Sequence, residues 1–308
     1  MVVIQSLDGV SSAKGAIMVW SAFVRRFVVL LILAGFAIGI QGPAVAAKKA
    51  ERCQLQGATI TGTNGDDVIR GTPGKDVIVA KSGNDVVHAG GGQDVVCGGR
   101  GADRVGGGHG RDALTGGRGD DTLRGGRKDD SLLGDVFWVP PPIQPPAVRA
   151  AGSDHLIGGR GIDTLTGDNF STTARLRGAG DDVLEDRSGF RTDMTGDNRA
   201  SGVRVSGKGD DVLINRTGPG SSHLVGDHNN DTGSVTGRGG NDRIRSGAGN
   251  DTLVGDSVWI HGSPGGGRDR LSAGAGDDGL TGGPKRDRCR GDGGTDFASQ
   301  CEVVRGIP

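Results

Sequence analysis

An aliphatic residue returns at every ninth position in the first half of the chain. These positions are Ile69, Ile78, Val87, Val96, Val105, Leu114, Leu123 and Leu132. An aspartate stands two residues before each of them, at Asp67, Asp76, Asp85, Asp94, Asp103, Asp112, Asp121 and Asp130. Self-similarity at a fixed period is typical of a repeat architecture, in which each unit buries a small part of a continuous core. We therefore predict stacked units, each with one buried aliphatic side chain.

Glycines fill the other half of each unit. Seven of the eight aspartates have a glycine two positions earlier, at Gly65, Gly74, Gly83, Gly92, Gly101, Gly110 and Gly119, and Lys128 is the exception. The unit is therefore GGxGxDxUx, in which U is aliphatic. Glycine adopts backbone angles that are closed to other residues, so this half predicts a tight turn with inward carbonyls. The remaining half predicts a very short strand whose U side chain supplies the core.

This unit resembles the nonapeptide repeat of the RTX, or hemolysin-type, calcium-binding proteins, and the resemblance covers most of the chain after the N-terminal segment. It implies an all-β fold, namely a parallel β-roll, which is a right-handed β-helix-like solenoid of stacked repeats. Two units form one coil of 18 residues, and parallel coils stack about 4.8 Å apart. Residues 18 apart then become neighbours. One ladder contains Asp67, Asp85, Asp103 and Asp121, and the other contains Asp76, Asp94, Asp112 and Asp130.

Carboxylates stacked at this spacing repel each other unless a cation lies between them. Calcium suits such a site because it takes about six to eight oxygen ligands, accepts backbone carbonyls and tolerates irregular geometry. In the family, each ion lies between adjacent loops and is held by loop carbonyls and by the position-six aspartates of consecutive coils. By resemblance, the expected ligands of several Ca²⁺ ions are Asp67, Asp76, Asp85, Asp94, Asp103, Asp112, Asp121, Asp130, Asp154, Asp163, Asp182, Asp211, Asp242, Asp251, Asp269, Asp278 and Asp287.

The two ladders differ at position five, where the family prefers Asp or Asn. The first ladder has Asp66, Asn84, Ala102 and Asp120 there, and the second has Lys75, Gln93, Arg111 and Asp129. We therefore expect the second ladder to bind calcium more weakly. One hypothesis is that Lys75 and Arg111 neutralise nearby aspartates in place of an ion.

The regularity of the repeat divides the chain into regions. We predict a signal peptide at 1–47 with Met18 as an alternative start, a cap at 48–61, regular repeats at 62–135, a proline-rich loop at 136–152, interrupted repeats at 153–298 and a cap at 299–308. In the interrupted region the phrase U-x-G-D recurs at 165–168, 194–197, 224–227 and 253–256. We interpret this second rhythm as longer coils in which polar residues expand one loop.

The N-terminal segment has the features of a secretory signal. Arg25 and Arg26 precede the apolar run from Phe27 to Ile40, and residues 44–46 have the small-x-small pattern that a signal peptidase accepts. The apolar run is shorter than the roughly 20 residues that span a bilayer. We therefore predict a secreted, extracellular protein, free or associated with the cell surface, with no membrane contact after cleavage.

The four cysteines all follow the predicted cleavage point, and their even number fits pairing in an oxidising compartment. Of the three connectivities, we prefer Cys53 with Cys97 and Cys289 with Cys301. Covalent caps of this kind would protect the terminal core layers that a thin solenoid exposes. A zinc site is the alternative, but neither a Cys-x-x-Cys spacing nor a histidine cluster supports it.

Composition narrows the function. With 62 glycines, 33% apolar and 3% aromatic residues, the chain cannot assemble a broad globular core, and it has no basic run with interleaved aromatics for nucleic acid. No catalytic motif stands out, so we predict no enzyme. We expect a structural or interaction module whose partners are calcium and cell-surface or matrix glycans or proteins. The alternative is a polysaccharide-binding or polysaccharide-modifying β-helix protein that uses the loops of residues 136–260.

Overall fold

A computed structural model of the chain describes residues 57–135, 152–171, 176–177, 180–187, 191–197, 199–200, 205–206, 209–216, 220–227, 229–230, 239–256 and 266–307. The predicted signal peptide, most of the predicted N-terminal cap and nearly all of the proline-rich segment lie outside these residues. Regular structure in the described ranges consists of β-strands, and they contain no helix that is long and apolar enough to cross a membrane.

Two long parallel sheets of eleven strands each organise the described part of the chain. The first sheet contains, in order, β1 (Ile60–Thr61), β3 (Val77–Ser82), β5 (Val95–Arg100), β7 (Ala113–Arg118), β9 (Ser131–Leu133), β11 (Asp163–Thr166), β15 (Thr192–Thr195), β19 (His223–Val225), β22 (Thr252–Val254), β24 (Gly279–Thr281) and β26 (Phe297–Ser299). The second contains β2 (Val68–Arg70), β4 (Val86–Gly91), β6 (Arg104–His109), β8 (Thr122–Arg127), β10 (His155–Arg160), β14 (Val183–Asp186), β18 (Val212–Asn215), β21 (Arg243–Arg245), β23 (Arg270–Ser272), β25 (Arg288–Arg290) and β27 (Val303–Arg305). The chain alternates between the sheets, and the predicted parallel β-roll is confirmed.

The register of the regular coils follows the nine-residue period. Ile78 pairs with Val96 and Val96 with Leu114 in the first sheet, and Val87 pairs with Val105 in the second. The aliphatic U side chains point between the sheets and are buried there in one cluster. It includes Ile69, Ile78, Val87, Val96, Val105, Leu114, Leu123, Leu132, Leu156, Leu165, Leu184, Met194, Leu213, Leu224, Ile244, Leu253, Leu271, Leu280 and Cys289. A core about one side chain deep explains how so few apolar residues stabilise the fold.

The strands of the regular coils are longer than the sequence predicts. From β3 to β8 each has six residues, because pairing continues into the first positions of the next unit, which are a glycine pair in β5 to β8. Gly99 pairs with Gly117, and the two have nearly equal φ angles of +131° and +130°. Since successive coils share this left-handed conformation, which favours glycine, their hydrogen bonds stay in register beyond the predicted strand.

Five coils between residues 133 and 270 are longer, and most of the added length lies at one corner. Leu132 pairs with Leu165, 33 residues later, and Leu165 pairs with Met194, 29 residues later. The five long connections, each from the first sheet to the second, are residues 134–154, 167–182, 196–211, 226–242 and 255–269. In three of them β12 (Phe170–Ser171), β16 (Arg199–Ala200) and β20 (Asn229–Asn230) pair in parallel, and β13 (Leu176–Arg177) pairs with β17 (Val205–Ser206). These three expanded loops therefore stack on one another.

A disulfide closes the final coil. Cys289 occupies a U position in β25 and is 2% exposed, and it is bonded to Cys301 with a Cα–Cα distance of 6.0 Å. This pairing was predicted and is confirmed. Cys97 is also disulfide-bonded, and its predicted partner, Cys53, lies outside the described residues.

Candidate metal centre

The position-six carboxylates of one ladder form a continuous file along the corner that joins the first sheet to the second. In every carboxylate after the first, Oδ1 accepts a hydrogen bond from the backbone N–H of its counterpart one coil earlier, as Asp103 Oδ1 does from Asp85 N–H at 2.8 Å. The file continues across the first long connection, since Asp121 N–H donates to Asp154 Oδ1 at 2.7 Å. Its members are Asp67, Asp85, Asp103, Asp121, Asp154, Asp182, Asp211, Asp242, Asp269 and Asp287, and Glu302 ends it by accepting from the N–H of Asp287. We call this file the first ladder.

The second ladder, at the opposite corner, is interrupted. It contains Asp76, Asp94, Asp112, Asp130 and Asp163, and after a gap Asp251, Asp278 and Asp296. In the gap Thr192 and Ser222 take the place of aspartates: Thr192 N–H donates to Ser222 Oγ at 3.2 Å, and Ser222 N–H donates to Asp251 Oδ1 at 2.8 Å. Hydroxyls keep the backbone bonded there but remove two carboxylates. Every aspartate predicted as a ligand lies in one of the two ladders.

In most of these carboxylates the second oxygen is buried and accepts no hydrogen bond from the protein. This holds for Oδ2 of Asp85, Asp103, Asp121, Asp130, Asp154, Asp163, Asp182, Asp211, Asp242, Asp269, Asp278, Asp287 and Asp296. Their side chains are at most 6% exposed. Buried polar atoms are almost always paired in proteins, so a repeated set without donors indicates a missing partner such as an ion.

Glycines leave space beside these oxygens. A β-carbon on Gly98 would lie 2.3 Å from Asp103 Oδ2 and 2.6 Å from the carbonyl oxygen of Gly116, one coil later. The arrangement persists in the expanded coils, where a β-carbon on Gly167 would lie 2.0 Å from Asp182 Oδ2 and 2.2 Å from the Gly196 carbonyl. A carboxylate and a carbonyl oxygen that face the same space are donors that calcium prefers. The residues present therefore fit calcium.

The electrostatics of the ladders disfavour bare carboxylates. The pKa of Asp121 is raised to about 8: burial has the largest effect, the backbone hydrogen bond with Asp103 lowers the pKa, and the charge of Asp103 raises it. Burial likewise raises the pKa of Asp130 and of Asp154 to about 9. A cation would remove this penalty because it replaces the lost hydration and offsets the repulsion between neighbours.

Position-five side chains lie outside the ladders and are exposed. Their hydrogen bonds run in the opposite direction along the stack: the N–H of Asn84 donates to Asp66 Oδ1 at 2.7 Å, one coil earlier. Arg111 Nη2 contacts Asp129 Oδ2, also at position five, at 2.7 Å. Position five thus links coils at the surface, and the hypothesis that Lys75 and Arg111 replace calcium stays a prediction.

Five further aspartates were not among the predicted ligands. Each follows the glycine of a U-x-G-D phrase: Asp135, Asp168, Asp197, Asp227 and Asp256, all at most 2% exposed. We call them the GD file. Asp168 accepts a hydrogen bond from the N–H of Gly180 at 3.2 Å, across twelve residues. Equivalent bonds reach Asp135, Asp227 and Asp256 from Gly152, Gly240 and Gly267. The signal was the recurrence of U-x-G-D, to which Leu132–Asp135 also belongs.

The GD aspartates fasten the base of each long connection. Asp135 and Gly152 bracket the proline-rich segment, and their hydrogen bond of 3.1 Å joins its two ends. In the regular coils the same position is a left-handed glycine, such as Gly117, whereas no GD aspartate has a positive φ. An aspartate in place of this glycine therefore marks the point at which the backbone departs from the regular nine-residue unit and a long connection begins.

Comparison with known proteins agrees with this geometry. The profile of the RTX calcium-binding nonapeptide repeat, which spans four copies of the unit, matches residues 58–85, 70–105, 106–136, 150–169, 225–257 and 263–298, more than half of the chain. A search of curated proteins found no match. The repeats and the buried aspartate ladders together imply calcium binding. The chain belongs to the RTX calcium-binding nonapeptide repeat family.

Proposed function

We propose that the chain is a secreted protein whose roll is folded and held by calcium ions along the two ladders, and that it serves as a structural or interaction module. The observation that carries this proposal is the set of buried, donor-free Oδ2 atoms of position-six aspartates, such as Asp103, Asp121 and Asp182, each of which lies beside a glycine carbonyl of the next coil. When bound, calcium supplies positive charge and coordination for these oxygens. Oδ1 keeps each carboxylate in place through its hydrogen bond with the preceding coil.

Calcium is favoured over other metals by the kind of ligands available. Within the described residues, no group of three or more His, Cys, Asp or Glu side chains is arranged to hold an ion. Backbone carbonyls must therefore supply part of each coordination shell, which calcium accepts. Magnesium requires a stricter octahedron, and zinc prefers nitrogen and sulfur.

The proposed setting is extracellular. The bond between Cys289 and Cys301 fits an oxidising compartment. We propose residues 1–47 as the signal, 48–61 and 299–308 as caps, 62–135 as the regular array and 153–298 as the expanded array. RTX repeats are typically structural rather than catalytic, and we propose no catalysis by this chain.

A calcium titration tests the function. We expect the metal-free mature chain to gain β-sheet circular dichroism when calcium is added at neutral pH, and Asp85→Asn with Asp103→Asn to bind fewer ions. The matched control is Asp66→Asn, an exposed position-five change in the same array, which should keep the wild-type stoichiometry. If calcium causes no gain of β signal and no heat of binding, the proposal is wrong.

A second candidate, binding of an acidic polysaccharide, is favoured by an arginine face. Arg243, Arg270 and Arg288 are direct neighbours in β21, β23 and β25, and all three are exposed. No carboxylate of the described residues forms an ion pair with them. A cleft of about 320 Å³ at this face is lined by Arg268, Asp269, Arg270, Arg286, Arg288 and Val303. Like charges directly opposite one another destabilise a sheet, so an anionic polymer would relieve the repulsion.

Polygalacturonate, with neutral dextran as the control polymer, tests the second candidate. We expect the calcium-loaded chain to be retained on polygalacturonate, and Arg270→Gln with Arg288→Gln to weaken retention while calcium stoichiometry is unchanged. Equal retention of the variant would exclude this face as the binding site. Analysis of the incubated polymer for shortened products distinguishes binding from depolymerisation.

A further inference from the structure

We propose that the GD file forms its own series of calcium sites between the expanded coils, beside the first ladder and outside the nonapeptide ligand set. This inference rests on the proposed calcium-dependent fold and adds to it a set of ligands at position two of the unit. It assigns the expanded connections a role in holding ions rather than only in lengthening the coils.

Consecutive members of the file face each other. The carboxyl groups of Asp135 and Asp168 are in side-chain contact, as are those of Asp168 and Asp197, of Asp197 and Asp227, and of Asp227 and Asp256. Each pair joins two successive coils. Two ionised carboxylates in contact within a buried site repel strongly, so the arrangement requires a shared proton or a cation.

Several oxygens at this corner have no hydrogen-bond donor. Asp135 Oδ1 and Asp227 Oδ2 accept none, although the two side chains are 0% and 2% exposed. Asp182 Oδ2 and Asp211 Oδ2, from the adjoining first ladder, accept none either. Each expanded coil thus brings two buried carboxylates to one corner, where a regular coil brings one. The additional negative charge calls for additional cations.

Glycines leave room between the paired oxygens. A β-carbon on Gly239 would lie 1.8 Å from Asp256 Oδ1 and 2.2 Å from Asp227 Oδ2, so these two oxygens are within about 4 Å of each other. A β-carbon on Gly266 would lie 2.0 Å from Asp256 Oδ2 and 2.1 Å from the Pro284 carbonyl. Each of these two spaces is thus bordered by two oxygens of the kind that calcium prefers, namely two carboxylates beside Gly239 and a carboxylate with a carbonyl beside Gly266.

The charges along the file support an ionic interior. Arg118 interacts electrostatically with Asp135 at one end, and Lys285 interacts with Asp256 at the other. Asp168 lies between them, and the charged groups that act on it are the carboxylates of Asp182, Asp197 and Asp135. Basic side chains thus offset negative charge at the two ends of the GD file, and calcium would offset it in the middle.

The test replaces Asp197 and Asp227 by Asn in the full-length mature chain. Asparagine keeps an acceptor oxygen for the glycine N–H at the base of each loop but removes the charge. The matched control replaces Asp181 and Asp210 by Asn as well; both are exposed position-five aspartates of the same coils. Bound calcium per chain is measured by elemental analysis after equilibrium dialysis.

We expect the variant with Asp197→Asn and Asp227→Asn to lose up to one calcium ion for each pair of neighbouring GD aspartates that contains one of the two residues. The control should bind as many calcium ions as the wild type. If the wild type binds calcium and this variant binds equally many ions, the inference is wrong while the proposed function stands. A wild type that binds no calcium refutes the proposed function itself. Should the variant not fold, anomalous scattering from calcium-loaded wild-type crystals decides: a calcium peak between Asp197 and Asp227 supports the sites, and its absence refutes them.

Discussion

Removal of calcium should make the stability of the roll fall as pH rises, the reverse of ordinary acid denaturation. The responsible groups are the position-six aspartates, whose pKa burial raises from 3.8 to about 8 for Asp121 and about 9 for Asp130 and Asp154. Between pH 3.8 and these values the metal-free folded chain binds more protons than the unfolded chain. Its stability is therefore highest in mild acid and is lost as pH rises through that window.

The loss of stability with rising pH is large enough to unfold the metal-free chain. One pKa unit corresponds to about 1.4 kcal/mol. Between pH 3.8 and pH 7, about three units, each of Asp121, Asp130 and Asp154 therefore lowers the stability of the metal-free roll by about 4 kcal/mol, because it ionises in the unfolded chain and stays protonated in the folded one. A typical domain is stable by only about 5 to 15 kcal/mol, which the three together would largely offset. We therefore expect the metal-free chain to be unfolded at pH 7 and to regain β structure near pH 4.5.

Far-ultraviolet circular dichroism from pH 4.5 to 8 measures this effect. The chain is stripped of metal by dialysis beforehand, since chelators weaken in acid. With saturating calcium the signal should stay native at neutral pH, and calcium affinity should increase with pH because ions and protons compete for the same carboxylates. A metal-free chain that is equally folded at pH 5 and pH 7.5 would refute the reasoning.

Three further predictions concern stability with calcium bound. Lys128 has a φ of +85°, so Lys128→Gly should stabilise the roll by about 1 kcal/mol in thermal denaturation, whereas Lys128→Ala should bring no such gain. Leu184 is 0% exposed in the core, and Leu184→Ala should cost about 2–5 kcal/mol in denaturant unfolding, unlike Val68→Ala at a site 70% exposed. Replacing Cys289 and Cys301 by Ser should cost about 3 kcal/mol through the twelve-residue loop; a reduced wild type that unfolds at the same temperature as the oxidised one would contradict this.

Much of the candidate metal site could be predicted because the spacing of residues within the nine-residue unit determines where they lie in the coil. Because Asp and U are two residues apart in every unit, the position of U predicts which face of each strand is buried. Because 18 residues make one coil, the position of each aspartate predicts the ladder to which it belongs. Leu114 and Asp112 therefore lie where expected. The disulfide between Cys289 and Cys301 was predictable for the same reason, since a U position in the last coil needs a covering partner.

The expanded coils could not be predicted to the same depth. Once coils vary between 27 and 33 residues, the sequence no longer shows which residue lies above which. Strand pairing alone places Thr192 beside Asp163 and so reveals the gap in the second ladder. The role of Glu302 as the end of the first ladder was missed because the last coil is shorter, with Asp287 and Glu302 only fifteen residues apart.

The sequence by itself determined the repeating unit, the parallel roll, its thin core and the two carboxylate ladders, because these depend on spacing within one unit. Only the tertiary structure decided which oxygens lack donors and that the expanded loops share one corner. It also brought the five aspartates of the U-x-G-D phrases into a single buried file. Contacts between coils depend on loop lengths and strand register, which no single unit encodes, and it is between coils that cations can be held.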